Sequence, residues 1–65
     1  MNEDTFKGKW KQLRGRAKQV WGDLSDDDLT RIDGSYDRLV GTLQEKYGYT
    51  KAEAQKKIDK EFGDA

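Results

Sequence analysis

Four cations, Lys7, Lys11, Arg14 and Lys18, recur at steps of four, three and four residues. Side chains three and four apart are neighbours on a helix, so this spacing draws them into one row. Such a row suits polyanions: it can track nucleic-acid phosphates or lie over anionic lipid headgroups. Lys9 and Arg16 stand on the opposite flank of an apolar arc formed by Phe6, Trp10, Leu13, Ala17, Val20 and Trp21. Cations on both flanks of an apolar stripe can snorkel at a lipid interface. The plainer reading is that they are solvated residues bordering a core stripe, since a folded domain needs that same apolar face. Charge balance weighs against nucleic acid. The chain has 13 basic and 13 acidic side chains and a pI near 6.2, whereas a nucleic-acid-binding domain usually has a pI above about 9.

The second chemical candidate is the run Asp26-Asp27-Asp28. Three carboxylates could hold a hard cation. Consecutive helical residues point about 100° apart, however, so they do not converge on one ion. The run also lacks the alternating acid spacing and glycine of a calcium loop. Asp26, Asp27 and Asp28 are better read as helix-start residues behind Ser25, complementing the positive end of the dipole.

Catalytic apparatus is not visible. There is no His and no Cys, which removes the commonest general base, the commonest metal ligand, thiol nucleophiles and disulfides. No nucleophile elbow, phosphate loop or dinucleotide fingerprint occurs. A chain of 65 residues is also expected to lack room for a ligand pocket of ~300 Å³ or more. The residues therefore predict no enzyme, no catalytic or metal site, no cofactor and no small-molecule substrate.

The elements that would position these groups are helices. The first is expected over about Asp4–Trp21, with Gly22 at its stop. Ser25 opens a second, which carries Leu29 and Ile32. Gly34 favours a break before a third over Ser35–Tyr47, although Leu29, Ile32, Tyr36, Leu39 and Leu43 keep phase for one longer helix. Gly48 ends the third. Thr50 and Glu53 then form a capping box for a fourth with Ala54, Ile58 and Phe62 on one face. The large core candidates are Trp10, Leu13, Trp21, Leu24, Leu29, Ile32, Tyr36, Leu39, Val40, Leu43, Tyr47, Ile58 and Phe62. Short amphipathic helices are unstable singly, so the expectation is one compact all-α domain over residues 1–65, a small bundle of four short helices.

Composition bounds this domain further. Charged residues are 40% and hydrophobic residues 32% of the chain, close to the border where burial fails to offset ordering entropy. Stability near or below the low end of the usual range of ~5–15 kcal/mol follows. The sequence is dipolar: +4 over residues 1–22, −5 over 23–37 and +1 over 38–65. Gly8, Gly15 and Gly22 lie opposite the apolar arc. A glycine inside a helix costs about 1 kcal/mol relative to Ala, so they form either a smooth docking face or a device that keeps the helix weak. No signal-like apolar segment and no apolar run of ~20 residues is present. A cytoplasmic monomer is expected.

Several of these blocks together resemble the CsbD-like family of small bacterial general stress-response proteins. They are Trp10-Lys11-Gln12, Gly15 with Lys18, Trp21-Gly22 with Leu24, Ser25-Asp26-Asp27-Asp28, Leu39-Val40-Gly41, and Leu43-Gln44-Glu45-Lys46-Tyr47-Gly48-Tyr49 followed by Ala54. The resemblance spans nearly the whole chain. It implies a cytoplasmic helical domain, two helical hairpins packed crosswise, made under osmotic and stationary-phase stress. It implies no functional residue. Together with the low mean hydropathy of −1.20, it leads to the expectation of a noncatalytic, hydrophilin-like protectant. The alternative is a binding module using Lys7, Lys11, Arg14 and Lys18 on nucleic acid or an anionic membrane. A protein adaptor using the glycine face is a third.

Overall fold

The structure, a computed structural model, describes residues 3–63. Four helices follow one another: α1 (Glu3–Val20), α2 (Asp26–Ile32), α3 (Tyr36–Tyr47) and α4 (Lys51–Phe62). No strand occurs among the described residues.

The caps written in the sequence set most of the boundaries. Ser25 accepts from the Asp28 N–H, and the Asp28 carboxylate accepts from the Ser25 N–H, a reciprocal box that starts α2. Thr50 and Glu53 do the same for α4. Ser35 caps α3 by accepting from the Arg38 N–H. The break between α2 and α3 is real. Asp33 (φ 47°) and Gly34 (φ 78°) are both left-handed, and two such residues in a row turn the chain out of helix. Gly48 (φ 70°) ends α3 the same way. Gly22 differs. It is not left-handed; the chain leaves α1 through a turn in which the Leu24 N–H donates to the Trp21 carbonyl at 3.0 Å.

Cross-helix contacts give the topology. Lys18 pairs with Asp26, Arg14 bonds Thr30, and Trp10 Cβ faces Gly34. Numbers fall along α1 as they rise along α2, so the two form an antiparallel hairpin. Tyr36 bonds Asp59 near one end of α3 and α4, and Tyr47 stacks on Tyr49 at the turn between them, which makes the second hairpin. The hairpins join through Lys46–Asp28 at 3.2 Å. They cross at Phe62, whose ring meets Phe6 near the start of α1 (6.4 Å between centroids) and Trp21 just past its end (5.7 Å, edge-on). One ring reached from both ends of α1 is what crosswise packing requires.

The core is apolar: Phe6, Trp10, Leu13, Ala17, Trp21, Leu24, Leu29, Ile32, Leu39, Val40, Leu43, Ala54, Ile58 and Phe62 are buried, and among the described residues no polar or charged side chain joins them. Phe6 belongs at its centre, against Trp10, Tyr36 and Phe62, although its position near the start of α1 leaves it out of the expected large-core set. Val20, in the apolar arc but outside the expected core set, stays 40% exposed at the edge of that arc where α1 ends. Tyr36 and Tyr47 are half-buried, rings packed on the core and hydroxyls at the surface.

Candidate functional site

The row of cations is a helical row, and α2 runs beside it. The Lys18 ammonium sits 2.8 Å from Asp26 Oδ1, with both side chains more than half exposed. Arg14 Nη2 donates to Thr30 Oγ1 at a long 3.4 Å. Lys7 lies over the turn between α2 and α3, its Cα and Cγ each 3.1 Å from where a Cβ on Gly34 would stand. Lys11 is exposed between them. Exposed pairs of this kind contribute about 0–1 kcal/mol, so the row stitches α1 lightly to α2 and keeps its charges in water.

Acids interleave with the row. Hydrogen bonding from Lys18, and then its charge, hold the Asp26 carboxyl below the usual carboxylate range. Asp28 is lowered first by the Ser25 backbone N–H and also by Lys46. Asp27 joins neither ion pair. Among the described residues no group of three or more His, Cys, Asp or Glu converges on a point that could hold a metal. The acidic run thus works as helix start and as tether.

Two arginines outside the row come to the same surface. Arg38 Nη1 donates to the Arg31 carbonyl at 3.0 Å, closing one of the orphan carbonyls at the end of α2. Arg38 borders two open depressions. One, about 300 Å³, is lined by Lys7, Asp33, Gly34, Ser35 and Arg38. The other, about 440 Å³, lies between α2 and α3 with Arg31, Thr42 and Glu45. A third, about 680 Å³, is a groove along α4 between Glu53, Lys56, Lys57, Asp59 and Lys60. The expectation on pocket size is corrected here. Volumes above 300 Å³ exist, but as open troughs among long charged side chains. Their linings mix both charge signs. Sequence reasoning missed Arg31 and Arg38 because they belong to different helices, and only the Asp33–Gly34 turn brings them together.

The glycine face is bare. A Cβ at Gly8, Gly15 or Gly22 would meet nothing within 4 Å. The fold does not need glycine at any of the three. No helix is long and apolar enough to cross a membrane among the described residues.

With this geometry in place, likeness to known proteins gives it a context. The CsbD-like family profile matches residues 4–64. A UPF0337 protein of Bordetella pertussis is 55% identical over 64 residues, 98% of this chain and 96% of its own. A UPF0337 protein of Pseudomonas aeruginosa is 53% identical over 64 residues, 98% of this chain and 97% of its own. The UPF0337 protein YjbJ of Escherichia coli K12 is 52% identical over 58 residues, 89% and 84% of the two chains. No solved structure matches. A match over nearly all of both chains places the chain in the CsbD-like family of bacterial general stress-response proteins.

Proposed function

We propose that this chain is a noncatalytic stress protectant acting through its hydrated charge shell. The observation that carries this reading is the complete separation of charge from core. The chain has 26 charged side chains, the core holds none, and the described residues show two ion pairs, Lys18–Asp26 and Lys46–Asp28. Most charges thus stand outside these two pairs, at the surface. Balanced signs leave no net charge to draw the whole protein onto one kind of macromolecule. Such a surface holds water and spaces other macromolecules as water activity falls. The expendable glycines of α1 fit the same role, because a weakly held helix unfolds and refolds readily as conditions change.

The test is protection of a drying-sensitive dehydrogenase through a desiccation cycle. Recovered activity should rise with the mass of protein added and stay unchanged in the variants Lys11→Gln, Asp27→Asn and Lys56→Gln taken singly. A variant with many exposed charges replaced by Gln and Asn should protect less at equal mass. Loss of protection on one exposed substitution would overturn the reading in favour of a specific binding site.

A further inference from the structure

α1 differs from the other helices in ways the bundle does not require. It is 18 residues long, against 7, 12 and 12. Isolated helices shorter than roughly 12–15 residues are marginal in water, and α1 alone of the four exceeds that length. It carries six cations, Lys7, Lys9, Lys11, Arg14, Arg16 and Lys18, against Glu3 and Asp4. Those cations flank an arc rich in aromatic side chains on both sides. A cationic polar face and a Trp/Phe/Leu apolar face are shared with helices that lie in a lipid interface, although α1 is less sharply amphipathic than α3 and α4. In the fold that apolar face is covered, with Phe6, Trp10, Leu13, Ala17 and Trp21 each at most 7% exposed. The polar ties from its cation row to α2 are light: one exposed ion pair and one long hydrogen bond. Gly8 and Gly15 weaken it further with no packing reason. Gly22 and Asp23, both exposed, supply a joint before α2.

We propose that α1 is a conditional membrane anchor, released from α2–α4 to lie on an anionic lipid surface. The helices α2–α4 and the lipid compete for one apolar face, and the lipid adds counter-charges that the bundle supplies only through Asp26. Duplex nucleic acid would engage the cations but has no use for the aromatic arc, and the chain's zero net charge opposes it. Lipid is therefore the partner the helix fits. The proposal stands independently of the protectant reading. Its distinctive consequence is linkage: apparent affinity equals the intrinsic affinity multiplied by the fraction of molecules with α1 released. A change far from α1 that loosens the bundle must tighten membrane binding.

Both tryptophans, Trp10 and Trp21, report on α1 directly. The experiment is Trp quenching by vesicles with brominated acyl chains, either phosphatidylglycerol or phosphatidylcholine, at low salt. Quenching is expected with phosphatidylglycerol alone and should fade as salt rises. Replacing Lys7, Lys11, Arg14 and Lys18 with Gln should abolish it. Ile58→Val, a single methyl lost from the buried face of α4, should tighten binding several-fold while keeping the fold. Asp33→Gly relieves a left-handed non-glycine residue and should steady the fold. It should weaken binding, although removal of an acid would by charge alone strengthen it. No quenching on phosphatidylglycerol overturns the proposal. So does binding that Ile58→Val and Asp33→Gly leave unchanged, which would mean attachment without release. A melting midpoint raised by duplex DNA with no quenching by either vesicle overturns it in favour of a nucleic-acid surface.

Discussion

Gly34 lies against the backbone of Lys7: a Cβ added to Gly34 would stand 3.1 Å from Lys7 Cα and 3.2 Å from Trp10 Cβ. The turn between α2 and α3 therefore touches α1 at the one place where no side chain fits. Gly34 also has φ 78°, a conformation that a Cβ strains. Gly34→Ala combines both penalties and should destabilise the fold by roughly 2–3 kcal/mol. Gly48 has nearly the same φ, 70°, but open space around it. Gly48→Ala should cost only about 1 kcal/mol. Paired thermal melts followed by far-UV circular dichroism check the difference, since each kcal/mol moves the midpoint of a domain this size by about 4–8 °C.

The glycines of α1 predict the reverse. Gly8 and Gly15 are helical, exposed and met by nothing within 4 Å. Gly8→Ala and Gly15→Ala should each stabilise the domain by about 1 kcal/mol, and the two should add because the sites are two turns apart. Urea denaturation of the single and double variants measures this. Destabilisation by either would mean that the α1 face is already occupied in the folded protein.

How much of this was legible in the sequence depended on whether the cause was local. Ser25, Ser35 and Thr50 each cap a helix by bonding to a backbone N–H three residues on, so the helix starts could be read from neighbours in the chain. The phase of Leu29, Ile32, Tyr36, Leu39 and Leu43 allows one helix or two; Gly34 already favours two, and the left-handed pair Asp33 and Gly34 makes the break. A non-glycine residue at φ 47° is a choice made by the surrounding packing. Phe6 stands in the apolar arc of α1, which fits its burial; that Tyr36 and Phe62 close over its ring depends on helix packing, which no local pattern records. The cationic row was fully legible as a row. That Asp26 and Thr30 stitch two of its members to α2 depends on hairpin register, which no local pattern records.

Tyr36 gives the fold an alkaline limit. Its hydroxyl donates to Asp59 Oδ1 at 3.2 Å and ties α3 to α4. Burial, reinforced by the charge of Asp59, pushes its pKa up to about 12 from 10.0. The neutral phenol is thus favoured in the folded state. Its contribution is complete below pH 10, the unfolded value, and disappears as pH rises through 12. Tyr36→Phe keeps the ring against Phe6 but removes the proton. The variant should lose stability at neutral pH and lose less on going from pH 10 to 12 than the parent. Melting midpoints at pH 7, 10 and 11.5 test both statements.

Asp28 sets the acid limit, and it should matter more than Asp26 although both carboxyls are held low. The Asp26 carboxylate meets one flexible ammonium, Lys18, in full solvent. The Asp28 carboxylate accepts the Ser25 N–H at 3.0 Å, closing the box that starts α2, and pairs with Lys46 at the joint between the hairpins. Its side chain is 14% exposed, against 70% for Asp26. Protonation removes the charge that both partners favour. With the folded pKa below the unfolded 3.8, this stability is present above that value and is lost as pH falls through the folded one. Glu53, lowered chiefly by the Thr50 backbone N–H, follows the same sign from its own 4.5. Asp28→Asn should therefore lower the midpoint at pH 7 clearly more than Asp26→Asn. It should also flatten the fall in stability between pH 5 and pH 3, because the group that titrates there is gone. If the two variants melt alike and the acid slope persists in Asp28→Asn, the joint between the hairpins does not depend on this carboxylate, and the buried apolar core holds the hairpins together unaided.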